Sequence, residues 1–509
     1  MGRTTTGHNA TGKERPKLTP LTKEEIRRRA VERCREKRIL IPTFAEMRDP
    51  SALDPAVVAA LRGVDMQAVH PLNLFRITWH NDRKTGGFGE VNALEIPSEL
   101  TGVPARIVGL VGKHFPTGAH KVGAAFGCLV PRLVNGEFDP TTQRAVWPST
   151  GNYCRGGVFD SALLGCKALA ILPEGMSRER FRWLESMSAE IIATPGCESN
   201  VKEIFDACWE IRRTRPEAVI FNQFEEFGNY LWHYGATGPA AESVFRRIAG
   251  PPNRLAAWVG ATGSAGTLAA GDYLKHQFPG CRIAVAEALQ CPTLLLAGFG
   301  GHRIEGIGDK HVPWIDNVRT TDVVTAIDDE ATLRLLRLFN EPTGQAELSR
   351  RRVAAAVLAD LPLLGISSIC NLLAAIKTAR YFEFDRSDVL FTSFTDSVEL
   401  YRTRLAELNE ERGPYTERQA AVDFERFLAG ATTDHLKELR YLDRKAIHNL
   451  KYFTWVEQQG KTVEQLNALW SPSFWEDLVA ELPQWDEQIA AFNRETGVLG
   501  RIQSGHPKS

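Results

Sequence analysis

From about residue 105 onward, the chain alternates between short apolar runs and longer stretches with helical patterning, and this alternation limits the fold more than any other feature. Each run is dense in Val, Ile, Leu and Ala and leads into a glycine-containing turn, as strands buried on both faces do in a parallel sheet covered by helices. The runs span residues 105–112, 144–149, 167–173, 189–195, 255–261, 282–288 and 387–394. Seven strands are too many for one small sheet, so we expect two adjoining α/β domains with parallel sheets.

The two ends of the chain have a different pattern. Residues 1–19 are polar and rich in Gly, Thr, Lys and Pro, which predicts a mobile arm. Thr22 and Glu25 form a capping-box pattern at the start of a highly charged helix. After about residue 410 strand signals disappear, which predicts a helical C-terminal extension. Its tryptophans would suit an interface, a lid or ordinary core packing; they are Trp455, Trp470, Trp475 and Trp485.

Composition narrows the class of partner. The 509 residues carry 61 basic and 62 acidic side chains and a net charge of −1, so no overall field attracts nucleic acid or an anionic membrane. The nine cysteines include no CxxC pair, which favours a reducing compartment and predicts no metal site. We find neither an apolar signal core nor a run of about 18 apolar residues. We therefore expect a cytoplasmic protein that acts on a small molecule.

The segment KHFPTGAHKVGAAFG places Lys121 at the start of a helix rich in Ala and Gly. Burial there and the field of the helix N-terminus would both disfavour the ammonium form, leaving an amine able to form a Schiff base. A solvated surface lysine is the alternative that this segment alone leaves open.

The segment WPSTGNYCRGG follows a predicted strand and begins a predicted helix. Its backbone N–H groups and short side chains could bind a carboxylate at the helix N-terminus, or could simply cap the helix. The residues concerned are Ser149, Thr150, Gly151 and Asn152.

Two further segments carry small or polar residues at strand ends. In WVGATGSAGTLAAG the loop is open enough for its backbone N–H groups to bind a phosphate monoester, or is a purely structural turn. That loop consists of Gly263, Ser264, Ala265, Gly266 and Thr267. In SDVLFTSFTDSVELY, Ser397 lies where a strand ends, a position suited to a ligand contact or to a helix cap.

In this order, the four segments resemble the fold-type II pyridoxal phosphate (PLP) enzymes, which include cysteine synthase, cystathionine β-synthase, serine and threonine dehydratases, diaminopropionate ammonia-lyase and the tryptophan synthase β-subunit. Four further segments also resemble the family. They are FNQFEEFGNYLWHYGATGPAAE, AEALQCPTL, HRIEGIGDKHVP and LGISSICNLLAA. The resemblance implies a catalytic core over 75–405, with a smaller subdomain inserted at about 125–235. Residues 1–74 then form an N-terminal arm and helical extension, and 406–509 the C-terminal extension.

The resemblance also implies roles for individual residues. Lys121 matches the lysine that holds PLP as a Schiff base, and Asn152 matches the asparagine that bonds to the ring hydroxyl. Ser149, Thr150 and Gly151 match the loop that binds the substrate α-carboxylate. Gly263, Ser264, Ala265, Gly266 and Thr267 match the phosphate cradle. Gly306 matches a glycine loop beside the cofactor, and Ser397 matches the serine at the pyridine nitrogen.

The implied activity is β-elimination or β-replacement on a small L-amino acid such as serine, cysteine or O-activated serine, through an aminoacrylate intermediate. A replacement would take a second, nucleophilic substrate, and family members are usually homodimers. The subfamily marks are mixed, because TGAHK resembles the tryptophan synthase β-subunit while NYCRG and PEGMSRERF resemble diaminopropionate ammonia-lyase. An ammonia-lyase or dehydratase that yields a 2-keto acid and ammonia is therefore the alternative. A non-catalytic PLP-binding or regulatory protein is the second alternative.

Overall fold

The protein was examined as a computed structural model that describes residues 21–504, so the predicted arm at 1–19 lies outside the described residues. Eleven strands are found among the described residues. They are β1 (Ala93–Ile96), β2 (Arg106–Val111), β3 (Arg144–Pro148), β4 (Lys167–Pro173), β5 (Glu190–Thr194), β6 (Ala218–Ile220), β7 (Arg254–Ala261), β8 (Arg282–Ala288), β9 (Val323–Ile327), β10 (Asp388–Phe394) and β11 (Leu436–Glu438).

The larger sheet has the order β1-β2-β10-β7-β8-β9-β11. Its five central strands are parallel, and β1 and β11 pair antiparallel at the two edges. The central strand β10 is buried along its whole length, with Phe391 opposite Val108 on one side and Trp258 on the other. Such a doubly covered parallel sheet explains why its strands are continuous apolar runs.

The smaller sheet has the order β5-β4-β3-β6, and all its strands are parallel. Its strands lie between β2 and β7 in the chain, within the interval of about 125–235 predicted for an inserted subdomain. The Trp147 indole of β3 stacks on the Phe221 ring after β6 at 4.8 Å, which joins two strands of this sheet through their side chains.

Helices cover both sheets. The first eight are α1 (Lys23–Lys37), α2 (Phe44–Arg48), α3 (Pro55–Leu61), α4 (Ser98–Thr101), α5 (Lys121–Val134), α6 (Asn152–Leu163), α7 (Arg178–Ser186) and α8 (Val201–Thr214). The next eight are α9 (Phe227–Trp232), α10 (Gly238–Ile248), α11 (Leu268–Gln277), α12 (Thr293–Leu296), α13 (Asp329–Asn340), α14 (Pro342–Arg350), α15 (Ala355–Asp360) and α16 (Ile366–Tyr381). The last seven are α17 (Arg402–Arg412), α18 (Glu417–Phe424), α19 (Tyr441–Lys451), α20 (Val463–Ala468), α21 (Pro472–Val479), α22 (Leu482–Thr496) and α23 (Val498–Gln503).

The predicted fold class is confirmed, and each of the seven predicted strands is found within one residue or two of its expected ends. Four strands were missed: β1, β6, β9 and β11. The helical C-terminal extension is confirmed, and it contains in addition the short strand β11, which pairs with the edge of β9. This strand is three residues long and partly exposed, so it has no apolar pattern to detect, and the open edge of β9 supplies its partners. Strand β10 ends at Phe394, the last residue of the predicted run, so Ser397 lies three residues beyond the strand rather than at its end.

The two terminal extensions pack against each other and against the core. Helix α1 begins with the predicted capping box of Thr22 and Glu25. The Asn493 side chain of α22 exchanges hydrogen bonds with the backbone of Ile41. Trp455 and Trp475 are buried in a cluster shared with residues between 201 and 315, so packing accounts for these two tryptophans. No helix within residues 21–504 is long and apolar enough to cross a bilayer.

Candidate active site

A cavity lies where the carboxyl ends of strands from both sheets meet, the usual place for a ligand in open parallel sheets. Its walls come from the segments that follow β3, β5, β6 and β7, from the end of β10 and from the start of α5. The predicted site residues that line it are Lys121, Ser149, Thr150, Asn152, Gly263, Ser264, Ala265, Gly266, Thr267 and Gly306. The fold thus brings together residues up to 185 positions apart in the chain.

Lys121 is the first residue of α5, as predicted, and its amine is buried. The Nζ atom donates hydrogen bonds to Ser264 Oγ at 2.9 Å and to Gln223 Oε1 at 3.2 Å. Burial lowers the pKa of Lys121 to about 8, against the opposing influence of Asp309 and Glu198. The structure therefore supplies the predicted buried amine, held beside the loop that begins α11.

The loop from Gly263 to Thr267 has unused backbone donors. Within the described part of the chain, none of its five N–H groups donates a hydrogen bond to another protein group. A Cβ atom at Gly263 would lie 2.9 Å from the Gly306 carbonyl oxygen, and one at Gly266 would lie 2.1 Å from Asn229 Oδ1. Only glycine fits at these two positions, and the open donors at the start of α11 fit a phosphate group.

The loop after β3 presents hydroxyl and amide groups to the same cavity. Ser149 Oγ accepts a hydrogen bond from the Gly151 N–H at 3.1 Å, which holds the turn into α6. Gly151 has φ of 150° and does not line the cavity, and a Cβ atom built on it would meet the Arg180 side chain. The Asn152 amide lines the cavity and donates to Asp396 Oδ2 at 2.6 Å. Ser149 and Thr150 are thus the two hydroxyl side chains of this loop that line the cavity.

The structure does not bring Ser397 to the cavity. The chain turns after β10 ends at Phe394, so Ser397 begins a short 3-10 turn and is absent from the lining. Two other serines do line it, Ser367 at the start of α16 and Ser393 in β10. Ser367 Oγ lies 3.7 Å from the position of a Cβ on Gly306. These two hydroxyls are the better candidates to contact a pyridine ring.

Two acidic side chains that the sequence did not single out also line the cavity. Glu198 is 1% exposed and Asp309 is 5% exposed, and each has a buried carboxyl oxygen without a hydrogen-bond partner within residues 21–504. Burial raises the pKa of Glu198 to about 7 and raises that of Asp309 well above its usual range. At neutral pH this side of the cavity therefore offers carboxyl groups that can hold protons.

Arg180 of α7 joins the two halves of the site. Its guanidinium is fully buried, forms an ion pair with Glu305, donates to Tyr401 Oη at 3.0 Å and lies 3.9 Å from Asp396 Oδ2. Asp396 is the same carboxylate that accepts from Asn152. Because α7 follows β4 of the smaller sheet and its partners follow β8 and β10 of the larger one, this network connects the two layers beside the cavity.

Three residues that flank the motifs show no sign of a chemical role: they are buried in neutral form or lie outside the cavity lining. His120 lines the cavity and packs against Trp79 and His233, and burial lowers its pKa to about 3, so the ring is neutral. Burial raises the pKa of Cys154 to about 12, which leaves an unreactive thiol. His114 is not part of the cavity lining. No group of His, Cys, Asp and Glu in the described residues could hold a metal ion.

Residues 108–360 match the family model described as "Pyridoxal-phosphate dependent enzyme". The chain is 29% identical over 281 residues to a probable cysteine synthase of Bacillus subtilis, a match that covers 55% of this chain and 83% of that protein. It is 28% identical over 287 residues to cysteine synthase B of Campylobacter jejuni, covering 56% and 86%. The residues after 405 lie outside the matched family model.

Solved structures show the same fold. The O-acetylserine dependent cystathionine β-synthase of Helicobacter pylori superposes with a TM-score of 0.52 and 21% identity, over 61% of this chain and 94% of that one. A hydrogen sulfide-producing enzyme of Fusobacterium nucleatum superposes with a TM-score of 0.52 and 20% identity, over 61% and 96%. Both leave over a third of this chain unmatched.

Proposed function

Because the core of this chain belongs to the family of pyridoxal-phosphate-dependent enzymes, we propose that the protein catalyses β-replacement or β-elimination on a small L-amino acid, with Lys121 as the catalytic base. The observation that carries the proposal is the buried Lys121 amine, 2.9 Å from a hydroxyl of the loop with free backbone donors. Substrates of the cysteine synthase type, such as serine, cysteine or O-acetylserine, follow from the named relatives.

Each part of the cavity has a use in this chemistry. Gly263, Ser264, Ala265, Gly266 and Thr267 would hold the phosphate of PLP, and Ser367 or Ser393 its ring nitrogen. When bound, PLP supplies an electron-withdrawing ring that stabilises negative charge on the substrate α-carbon. Ser149 and Thr150 orient the substrate carboxylate. The Lys121 amine, neutral in part at pH 8, takes the α-proton.

The two carboxyl groups opposite Lys121 assist departure of the β-substituent. A protonated Glu198 or Asp309 can donate to an oxygen, sulfur or nitrogen leaving group, which lowers the charge that develops on it. Their burial excludes water and strengthens this donation. Elimination alone would then release the β-substituent, and replacement would add a second nucleophile to the same carbon.

An ammonia-lyase is the second candidate function, and the acidic wall favours it. Apart from Lys121, no lysine or arginine lines the described cavity, while Glu198 and Asp309 both do. Above about pH 7, where Glu198 is mostly ionised, a substrate with an ammonium group on its β-carbon would meet complementary charge there. Diaminopropionate plus water would give pyruvate and two molecules of ammonia.

Product analysis of the PLP-loaded protein tests the proposal. L-serine, L-cysteine, O-acetyl-L-serine and 2,3-diaminopropionate are supplied separately, each with and without sulfide, and cysteine, sulfide, keto acid and ammonia are measured. A product that requires sulfide identifies replacement, and a keto acid formed without it identifies elimination. The Glu210→Gln variant is a control that should turn over each compound as the wild type does, since Glu210 is exposed on α8 and does not line the cavity. Turnover of none of the four compounds would favour a non-catalytic PLP-binding protein instead.

The resemblance further predicts a homodimer, and the composition predicts a cytoplasmic protein with no nucleic acid or membrane partner. We retain these as proposals. Sedimentation of the purified protein tests the oligomeric state.

A further inference from the structure

The segment that carries Gly306 and Asp309 has no regular structure of its own. No helix or strand lies between Leu296 and Val318, although the middle of this segment forms one wall of the cavity. Core residues hold it on the cavity side: the Gly308 N–H donates to the Thr262 carbonyl at 2.7 Å, and Thr293 Oγ1 donates to the Asp309 carbonyl at 2.8 Å. Glu305 of the same segment forms ion pairs with Arg180 and Arg404, and within the segment His302 Nε2 lies 2.7 Å from the Gly308 carbonyl. Gly306 and Gly308 have φ of 101° and 84°, conformations that favour glycine.

Just beyond the cavity, the same segment is held by the C-terminal extension. The Lys451 ammonium at the end of α19 donates to the Trp314 carbonyl at 3.0 Å and to the Asp316 carbonyl at 2.6 Å. The Trp455 indole N–H donates to the Val312 carbonyl at 2.8 Å. Val312 is only three residues from Asp309. Buried carbonyls that lose their donors cost free energy, so these three bonds fix the backbone of residues 312–316.

Aromatic packing links the same segment to the cavity wall. The His311 ring lies 5.7 Å from the Trp455 ring and 4.9 Å from the Phe224 ring, measured between centroids. Phe224 itself lines the cavity, and its carbonyl accepts from the Ile315 N–H at 3.3 Å. A continuous chain of contacts therefore runs from the extension to the lining.

The burial of Lys451 argues that this contact has a specific role. Its side chain is 0% exposed, and burial lowers its pKa, although Asp316 opposes the change. A buried ammonium is costly unless its donors are used, and an apolar side chain would pack at this point at lower cost. The ammonium makes two directed bonds to one loop, which a methyl group could not.

We propose that the C-terminal extension is part of the active-site support, with Lys451 and Trp455 as positioning residues that hold residues 304–317 against the cofactor cavity. The extension lies outside the matched family model, so this support is an addition to the common core. The proposal does not depend on which amino acid is the substrate.

Hydrogen exchange of the PLP-loaded full-length protein, followed by mass spectrometry, tests this proposal with Lys451→Met. We expect amides in 304–317 to exchange at least about tenfold faster, with unchanged exchange in α5 and β7, because the loss of the loop's donors opens it locally. Release of bound PLP should also accelerate, since Gly306 abuts the cradle at Gly263. Lys445→Met is the control: it makes the same charge change on α19, and Lys445 lies over the Trp470 ring rather than on the loop.

The proposal would be overturned if amides 304–309 of Lys451→Met exchanged at the wild-type rate, or if Lys445→Met accelerated their exchange equally. A uniform rise across the protein would also overturn it, since that reports general destabilisation. If Lys451→Met does not fold, Trp455→Phe decides, because it removes one N–H donor and keeps a ring. There we expect at least about threefold faster exchange confined to 304–317, and wild-type exchange would overturn the proposal.

Discussion

Replacing Glu198 by glutamine should change how the stability of the cofactor-free protein depends on pH. The Glu198 carboxyl is buried, one of its oxygens has no hydrogen-bond partner in residues 21–504, and no arginine or lysine forms an ion pair with it there. Ionising it in the folded protein is therefore unfavourable, and its pKa rises from 4.5 to about 7.

The sign and size follow from this difference. The folded state holds the proton more tightly than the unfolded state, so the free energy of unfolding falls as pH rises from about 4.5 to about 7. The full difference corresponds to about 3 kcal/mol, and most of it falls between pH 5 and pH 8. Glutamine does not titrate, so Glu198→Gln lacks this loss.

Urea denaturation of the cofactor-free protein at pH 5 and pH 8 measures the effect. Between wild type and Glu198→Gln, the change in unfolding free energy from pH 5 to pH 8 should differ by about 2–3 kcal/mol. Any constant cost of the glutamine amide cancels in this comparison. Glu210→Gln is the control. Glu210 is exposed on α8, the helix that follows Glu198 in the chain, so this variant should show the same pH dependence of the unfolding free energy as the wild type. Parallel pH profiles for wild type and Glu198→Gln would refute the reasoning.

Three further predictions concern the rest of the site. Arg180→Met should lower the unfolding free energy by about 3 kcal/mol, because it removes the buried guanidinium beside Glu305 and Asp396, which keep only Arg404 and neutral donors, while Lys202→Met in an exposed ion pair should change little; equal effects in urea denaturation would contradict the buried network. The rate at which cofactor-free protein gains the visible band of bound PLP should rise with pH and level off above about 8, where Lys121 becomes neutral; a continued rise to pH 10 would contradict the lowered pKa. Ser367→Ala should shift that band or weaken PLP binding and Ser397→Ala should do neither, as measured by spectral titration; the reverse result would restore the role predicted for Ser397.

The contiguous motifs were the part of the site that sequence could identify. Lys121 and the loop from Gly263 to Thr267 are recognisable because small residues follow an apolar strand or begin a helix, and the structure places all of them at one cavity. Ser367 and Asp309 lie in segments that resemble the family, but the local sequence around each residue does not indicate that its side chain lines the cavity.

Other features arise only when distant segments meet. Arg180 lies in RERFRWLES, a stretch that reads as a surface helix, yet its side chain is fully buried between the layers. Glu198 becomes unusual only because the fold removes it from water beside Lys121. Strand β11 depends on the free edge of β9, and no local pattern in the extension could reveal that partner.

The visible absorption spectrum of the purified protein, compared with that of Lys121→Ala, tests the central claim most directly. The account predicts a band from bound PLP in the wild type that is lost or moved in the variant, and a further change in the wild type when one of L-serine, L-cysteine, O-acetyl-L-serine or 2,3-diaminopropionate is added. A wild-type protein that acquires no band even with excess PLP, or a variant with an identical spectrum, would contradict it.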